Sequence, residues 1–123
     1  MPLAEAFRRA LDAVVEVYRA RRGSLRALVQ RSRTDARLHR RLLRMNRRNV
    51  DAFLSVLLSR KNEVHHPNPR AAAELGLLVV VGALRETILF HEFWPSGVAW
   101  ADERLVEELT RLFLAYLGIR GKL

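Results

Sequence analysis

The polar side chains best placed to do chemistry lie on one strip of one helix-forming segment. His39 and Asn46 are seven residues apart, so at about 100° per residue they nearly superimpose. Asn49 follows three residues later, and Leu42 and Phe53 share the strip. The strip falls on the apolar arc of its segment, which predicts an imidazole and two amides turned inward. A buried polar group without a partner costs on the order of 1–3 kcal/mol. Such groups must find protein partners, water or a ligand. One outcome is a mostly apolar small-molecule pocket with a few convergent polar groups. The other is bonding to neighbouring backbone at the margin of a helix face.

Other chemistries have less support. His65 and His66 are adjacent beside Pro67, and His91 precedes Glu92. Metal ligands on one helix face stand three or four residues apart, and no pair here does. No metal or other cofactor is expected. The absence of cysteine excludes disulfides, thiolate metal sites and cysteine nucleophiles. Gly76 and Gly82 sit within a helical segment and not in a phosphate-binding loop, and no G-x-S-x-G elbow occurs. Glu107 and Glu108 are neighbours that point apart on a helix. Without an orienting set around any of these groups, the chain reads as a non-enzyme. Trp94 and Trp100 flank the turn Pro95-Ser96-Gly97, where they would close one end of a pocket or fasten the loop to the body.

The elements that position these residues are all helical. Residues 3–20 place Leu3, Phe7, Ala10, Leu11, Val14 and Tyr18 on one face. Gly23 is expected to stop this helix and Ser24 to cap a short second one. A long helix runs from Thr34-Asp35 to about Lys61. Asn68 and Pro69 suit the cap and first position of a helix over about 69–93, apolar nearly all round. Its small residues Ala72, Gly76, Ala83 and Thr87 make a stripe where another helix can approach. Asp102 is expected to cap a last helix, 103–117, with Leu105, Leu109, Leu112, Phe113 and Tyr116 inside and Leu114 outside. The pattern predicts an all-α bundle of about five helices. Its 123 residues suit a single domain, 1–123.

Charge divides the chain. Residues 1–61 hold 16 Lys and Arg against 5 Asp and Glu; residues 62–123 hold 6 against 8. Of the 22 basic residues, 20 are arginine. Arg37, Arg40, Arg41, Arg44, Arg47 and Arg48 share the polar arc of the long helix. That arc is either a plain solvated face or a surface for nucleic acid or an acidic protein. The longest uncharged apolar run, Leu75 to Leu84, is too short to span ~30 Å of hydrocarbon as a helix. Residues 1–18 lack the apolar core of a secretory signal, so a cytoplasmic location is expected.

The second half carries a resemblance. The run Asn68-Pro69-Arg70-Ala71-Ala72-Ala73-Glu74-Leu75, following His66-Pro67, opens a helix that continues to Arg85. Trp100-Ala101-Asp102 leads into a final helix that ends Leu112-Phe113-Leu114-Ala115-Tyr116-Leu117-Gly118. These features resemble the C-terminal ligand-binding and dimerisation domain of TetR-family transcriptional regulators, and residues 10–28 resemble that family's connecting helix and the start of its core. The resemblance implies a homodimer through helices 69–93 and 103–117, with Leu78, Val81, Arg85, Leu105, Leu109, Leu112 and Leu114 at the interface. It also implies an effector site beside that interface, drawing on His39, Leu42, Asn46, Asn49, Phe53, Arg85 and Trp100. The effector would be a small, mostly apolar molecule. Operator DNA would be met only through an N-terminal helix-turn-helix domain, which is expected to be absent from the residues given, either because they are a fragment or because the chain is a stand-alone relative.

Overall fold

A computed structural model describes residues 1–93 and 101–120, and it is helical throughout with no strand among them. Five α-helices follow in order: α1 (Leu3–Ala20), α2 (Arg22–Ser32), α3 (Ala36–Ser59), α4 (Pro69–Leu84) and α5 (Asp102–Leu117). A 3-10 turn, Lys61–Glu63, follows α3; a π-helical turn, Arg85–Leu89, and a 3-10 turn, His91–Phe93, follow α4.

Local chemistry sets most of these boundaries. Asp35 starts α3 by accepting from the backbone N–H groups of Arg37 and Leu38, both at 3.1 Å. Asn68 starts α4 by accepting from the N–H of Ala71 at 3.3 Å, with Pro69 in the first helical position. Gly118 ends α5 with a φ of +63°. The N–H of Gly118 then reaches the Ala115 carbonyl at 3.2 Å, and that of Ile119 reaches Leu114 at 2.9 Å. This pair of bonds is the Schellman pattern, and it folds Ile119 back over Leu114.

Three expected boundaries move. The break between α1 and α2 falls at Arg21, with φ −120° and ψ 28°, while Gly23 and Ser24 lie inside α2. Tertiary bonds explain the shift: Arg22 Nε donates to the Ile88 carbonyl at 2.7 Å, and Arg26 donates to the Leu89 carbonyl at 3.2 Å. The helix expected to reach residue 93 leaves α-geometry after Leu84. Thr87 Oγ1 donates to the Ala83 carbonyl at 2.7 Å, and the backbone widens until Phe90 N–H bonds Arg85 five residues back. Asp102 is the first residue of α5 and not its cap; its carboxylate pairs with Arg19 of α1 at 2.7 Å.

The core sits among α1, α4, α5 and the end of α3. Leu3, Phe7, Leu11 and Val15 of α1 meet Leu105, Val106, Leu109, Phe113 and Leu117 of α5, with Ala72, Ala73, Val80 and Leu84 of α4. The small stripe does admit a helix: a Cβ on Gly76 would lie 3.1 Å from the Phe113 ring. In contrast, α3 buries only Leu54 and Leu57, and α2 buries no residue fully. The domain therefore has a dense side and a lean side.

Gly118 generates a test of this packing. A Cβ there would stand 2.5 Å from the His65 carbonyl oxygen and would force a left-handed conformation on a side chain. The conformation alone costs roughly 1–2 kcal/mol, and the clash adds to it. Gly118→Ala is expected to lose about 2 kcal/mol or more of unfolding free energy in urea; an unchanged midpoint would show that this junction does not constrain the fold.

Candidate ligand cleft and exposed helical face

Three phenylalanines build the candidate site. Phe7 of α1 stacks on Phe113 of α5 with ring centroids 4.0 Å apart and planes 5° apart. Phe53 of α3 meets both edge-on, at 5.9 Å from Phe7 and 5.7 Å from Phe113. Beside this cluster a cleft of about 170 Å³ opens between α1 and α3. Leu3, Ala6 and Ala10 line it from α1, Val56 and Leu57 from α3, and Leu114 and Ile119 from the end of the chain. Its size depends on the alanines, which leave room where larger side chains would fill it. No charged or amide side chain lines it. An apolar cavity of similar size, about 150 Å³, stays dry and takes a benzene-sized molecule. The chemistry open to this cleft is therefore shape-selective burial of a small apolar body.

The polar strip lies elsewhere. His39, Asn46 and Asn49 are exposed, Leu42 is half-buried, and only Phe53 reaches the cleft. The inward placement expected from spacing fails because α4 and α5 cover α3 only near its C-terminal end, where Leu54 and Leu57 are buried. Arg85 is partly buried at the start of the π turn, and its Nε is buried without a hydrogen-bond partner among the described residues. It does not line the cleft. Trp100 and Trp94 lie outside the described residues.

The faces of α4 and α5 also differ from expectation. Leu105, Leu109 and Leu114 are core residues, with Leu114 only 5% exposed. Leu112 and Tyr116, expected inside, are exposed, Leu112 at 59%. The reason is that α5 is covered from two sides, by α1 and by α4, so its buried arc is wide and rotated toward Leu114. Leu75, Leu78 and Val79 of α4 and Leu112 and Tyr116 of α5 are exposed apolar side chains on two helices that pack together, with the Tyr116 ring close to Gly76. Leu78 is 68% exposed, while Val81 is half-buried. Ion pairs lie on the same two helices: Arg70 with Glu74 at 3.3 Å, and Arg111 with Glu107 and Glu108 at 3.3 and 3.5 Å.

An arginine clamp holds the lean side to the dense one. Besides their bonds to Ile88 and Leu89, Arg22 contacts His91 Nδ1 at 2.8 Å, and Arg26 pairs with Glu92. Arg26 also lies over the Phe90 ring at 5.1 Å. Cations at the C-terminal end of a helical turn meet its negative carbonyl end. The histidines do not gather: among the described residues, no three His, Asp or Glu side chains are placed to hold a metal ion. His66 instead accepts from Asn68 N–H at 3.0 Å and packs edge-on against Tyr116 at 5.4 Å.

Residues that sequence reasoning did not assign to the site include Phe7, Ala6, Ala10, Phe113 and Ile119. For Phe7, Ala10 and Phe113 the only signal was membership of inner faces, which does not separate core from cleft; Ala6 and Ile119 carried none. A family model described as a tetracyclin repressor-like C-terminal domain matches residues 2–117. No curated protein and no solved structure gives a significant match.

The clamp can be weighed directly. Hydrogen bonds from a charged donor contribute roughly 1.5–3 kcal/mol, lowered here by partial exposure of Arg22. Arg22→Ala is expected to cost about 1–2 kcal/mol in urea unfolding. Arg9→Ala, which breaks only an exposed pair with Glu5, should cost under about 1 kcal/mol. Equal losses would remove the clamp from the fold's supports.

Proposed function

The chain belongs to the tetracyclin repressor-like C-terminal domain family, and we propose that it is the dimerisation and effector-binding domain of a transcriptional regulator. The observation that carries this reading is the exposed apolar face on α4 and α5. Exposed side chains recur at helical spacing at 75, 78 and 79 on one helix and at 112 and 116 on the other, and the packing of Tyr116 near Gly76 supports reading them as one two-helix surface. Set against its own copy about a twofold axis, it makes a four-helix interface in which the same residues meet from both sides. Leu78, Val81 and Leu112 belong to that interface; Leu105, Leu109 and Leu114 support it from within.

The cleft between α1 and α3 takes the effector. Its lining favours a small apolar or monoaromatic molecule. Phe53, Phe7 and Phe113 supply the contact surface, and Ala6 and Ala10 set the depth. Because the cleft is walled by α1 on one side and by α3 and α5 on the other, a ligand there acts on the packing of α1. A ligand shifts such an equilibrium only by its differential affinity for the two arrangements. The domain spans the chain as one unit, and its expected setting is the cytoplasm. No helix among the described residues is long and apolar enough to cross a membrane.

Light scattering is expected to give about twice the chain mass of 14.2 kDa at micromolar concentration. Leu78→Asp and Leu112→Asp should yield folded monomers by circular dichroism, whereas Leu109→Asp should unfold the chain. A wild-type monomer, or a dimer indifferent to both exposed substitutions, would remove the dimer from this reading.

Effector binding has its own readout. Toluene or indole at 100 times its Kd should add about 2.7 kcal/mol of stability, seen as a rise in Tm. Ala6→Leu, which fills the cleft, should abolish most of that rise while leaving the dimer intact. A rise of the same size in the filled variant would place the ligand elsewhere.

A further inference from the structure

We infer that the outer face of α3 is a docking surface for the phosphate backbone of duplex DNA, independent of base sequence. The six arginines at 37, 40, 41, 44, 47 and 48 are all exposed. None forms an ion pair or side-chain hydrogen bond with any described residue. Elsewhere seven arginines, Arg9, Arg19, Arg22, Arg26, Arg60, Arg70 and Arg111, each stand against a carboxylate, and the unpaired ones are not gathered six to one helix face. Asp35, at the head of α3, is spent on the helix cap. Like charges three and four residues apart repel, and Arg37–Arg41, Arg40–Arg44 and Arg44–Arg48 are such pairs. Folding leaves this repulsion unrelieved, so the face is a fixed field awaiting a polyanion.

Geometry selects the class of partner. Residues 37–48 rise about 16.5 Å along the helix, which puts one positive charge in every ~3.3 Å. Each strand of duplex DNA carries one phosphate in every ~3.4 Å of axis. The matched density suits a rod-like, evenly charged partner better than an acidic protein patch, whose carboxylates are irregularly placed. All six cations are guanidinium groups, whose planar fork bonds two phosphate oxygens at once. A membrane surface would need apolar side chains interspersed among the cations to enter the acyl boundary. Within this arc the other residues are Asp51, Ser55 and Ser59; the exposed Leu43 and Met45 stand at its two margins and not among the cations, and the opposite side, Leu42 and Phe53, is turned toward the protein.

The test is fluorescence anisotropy of the full chain with a labelled 24-base-pair duplex of mixed sequence, from 50 to 300 mM KCl. Binding should weaken with a log–log slope of about −4 to −5, corresponding to some five phosphate contacts. A duplex of scrambled sequence should bind equally well. Arg41→Gln/Arg44→Gln/Arg48→Gln changes only exposed side chains, so it should stay folded and lower the steepness of the slope by about 2–3. Its affinity at 50 mM KCl should fall at least about tenfold. The control Arg9→Gln/Arg21→Gln/Arg120→Gln removes the same net charge from other places and should change affinity by less than about threefold. No binding at 50 mM KCl would overturn the inference, as would equal losses in the two triple variants. Tighter binding to phosphatidylserine vesicles or to polyglutamate than to the duplex, at equal anion concentration, would also overturn it.

Discussion

The stacking of Phe7 on Phe113 is the contact on which the rest of the domain depends. It joins the first helix to the last, across nearly the whole length of the chain, and so closes the bundle. Two aromatic rings at this separation bury large apolar areas and gain a further contribution from their mutual geometry. Gly76 lets α4 come near enough to seat the same Phe113 ring from the other side. Phe53 then completes the cluster and, with the buried Leu54 and Leu57, ties in the end of α3. One side chain, Phe113, thus touches three other helices, and the cleft exists because alanines and not larger residues surround that junction on α1.

The lean side is held by different physics. With no fully buried residue, and only Leu25 and Val29 packed partly buried against the core, α2 gains less from hydrophobic burial than the other helices. It is fixed by Arg22 and Arg26, which reach the carbonyl end of the π turn, and the π turn is itself a product of the Thr87 hydroxyl competing for helix carbonyls. A polar, directional clamp of this kind has a smaller energetic reserve than an apolar core. Local opening should therefore begin at α2 and the start of α3, well before the α1–α4–α5 core loosens.

Much of this architecture was legible in the sequence, because helix ends have local chemistry. Asp35, Asn68-Pro69 and Gly118 announce their boundaries through groups only one to three residues away. Periodicity likewise identified α1 and the all-round apolar character of α4, although Leu75, Leu78 and Val79 remain exposed. What periodicity cannot say is how many neighbours cover a helix. Leu112 and Leu114 exchanged places because α5 is packed on two sides, and a 100° repeat shows shared faces without showing which are covered. His39, Asn46 and Asn49 were expected inside for the complementary reason: their arc is apolar along the whole helix, but partners reach only its far end. Gly23 misled because a glycine marks a break only when the backbone needs its freedom. A Cβ at Gly23 would meet nothing within 4 Å, and the break is set instead by long-range bonds from Arg22 and Arg26.

These errors share a cause that bears on function. Where sequence pattern predicts burial and the fold withholds it, the chain is left with surface that its own core does not use. On α4 and α5 that surface is apolar, which is unstable in water unless something covers it. An identical copy satisfies the requirement without any second gene product, since a self-complementary face needs only a twofold axis. The arginine arc of α3 is a different case: it was expected to face outward and does, and burial cannot relieve its charge. Moving guanidinium groups out of water would cost far more than it returned unless every charge met an anion. The two surfaces therefore call for opposite kinds of partner. Apolar side chains on α4 and α5 suit a permanent, salt-insensitive contact between copies, and the arginines of α3 suit a contact that ionic strength can release.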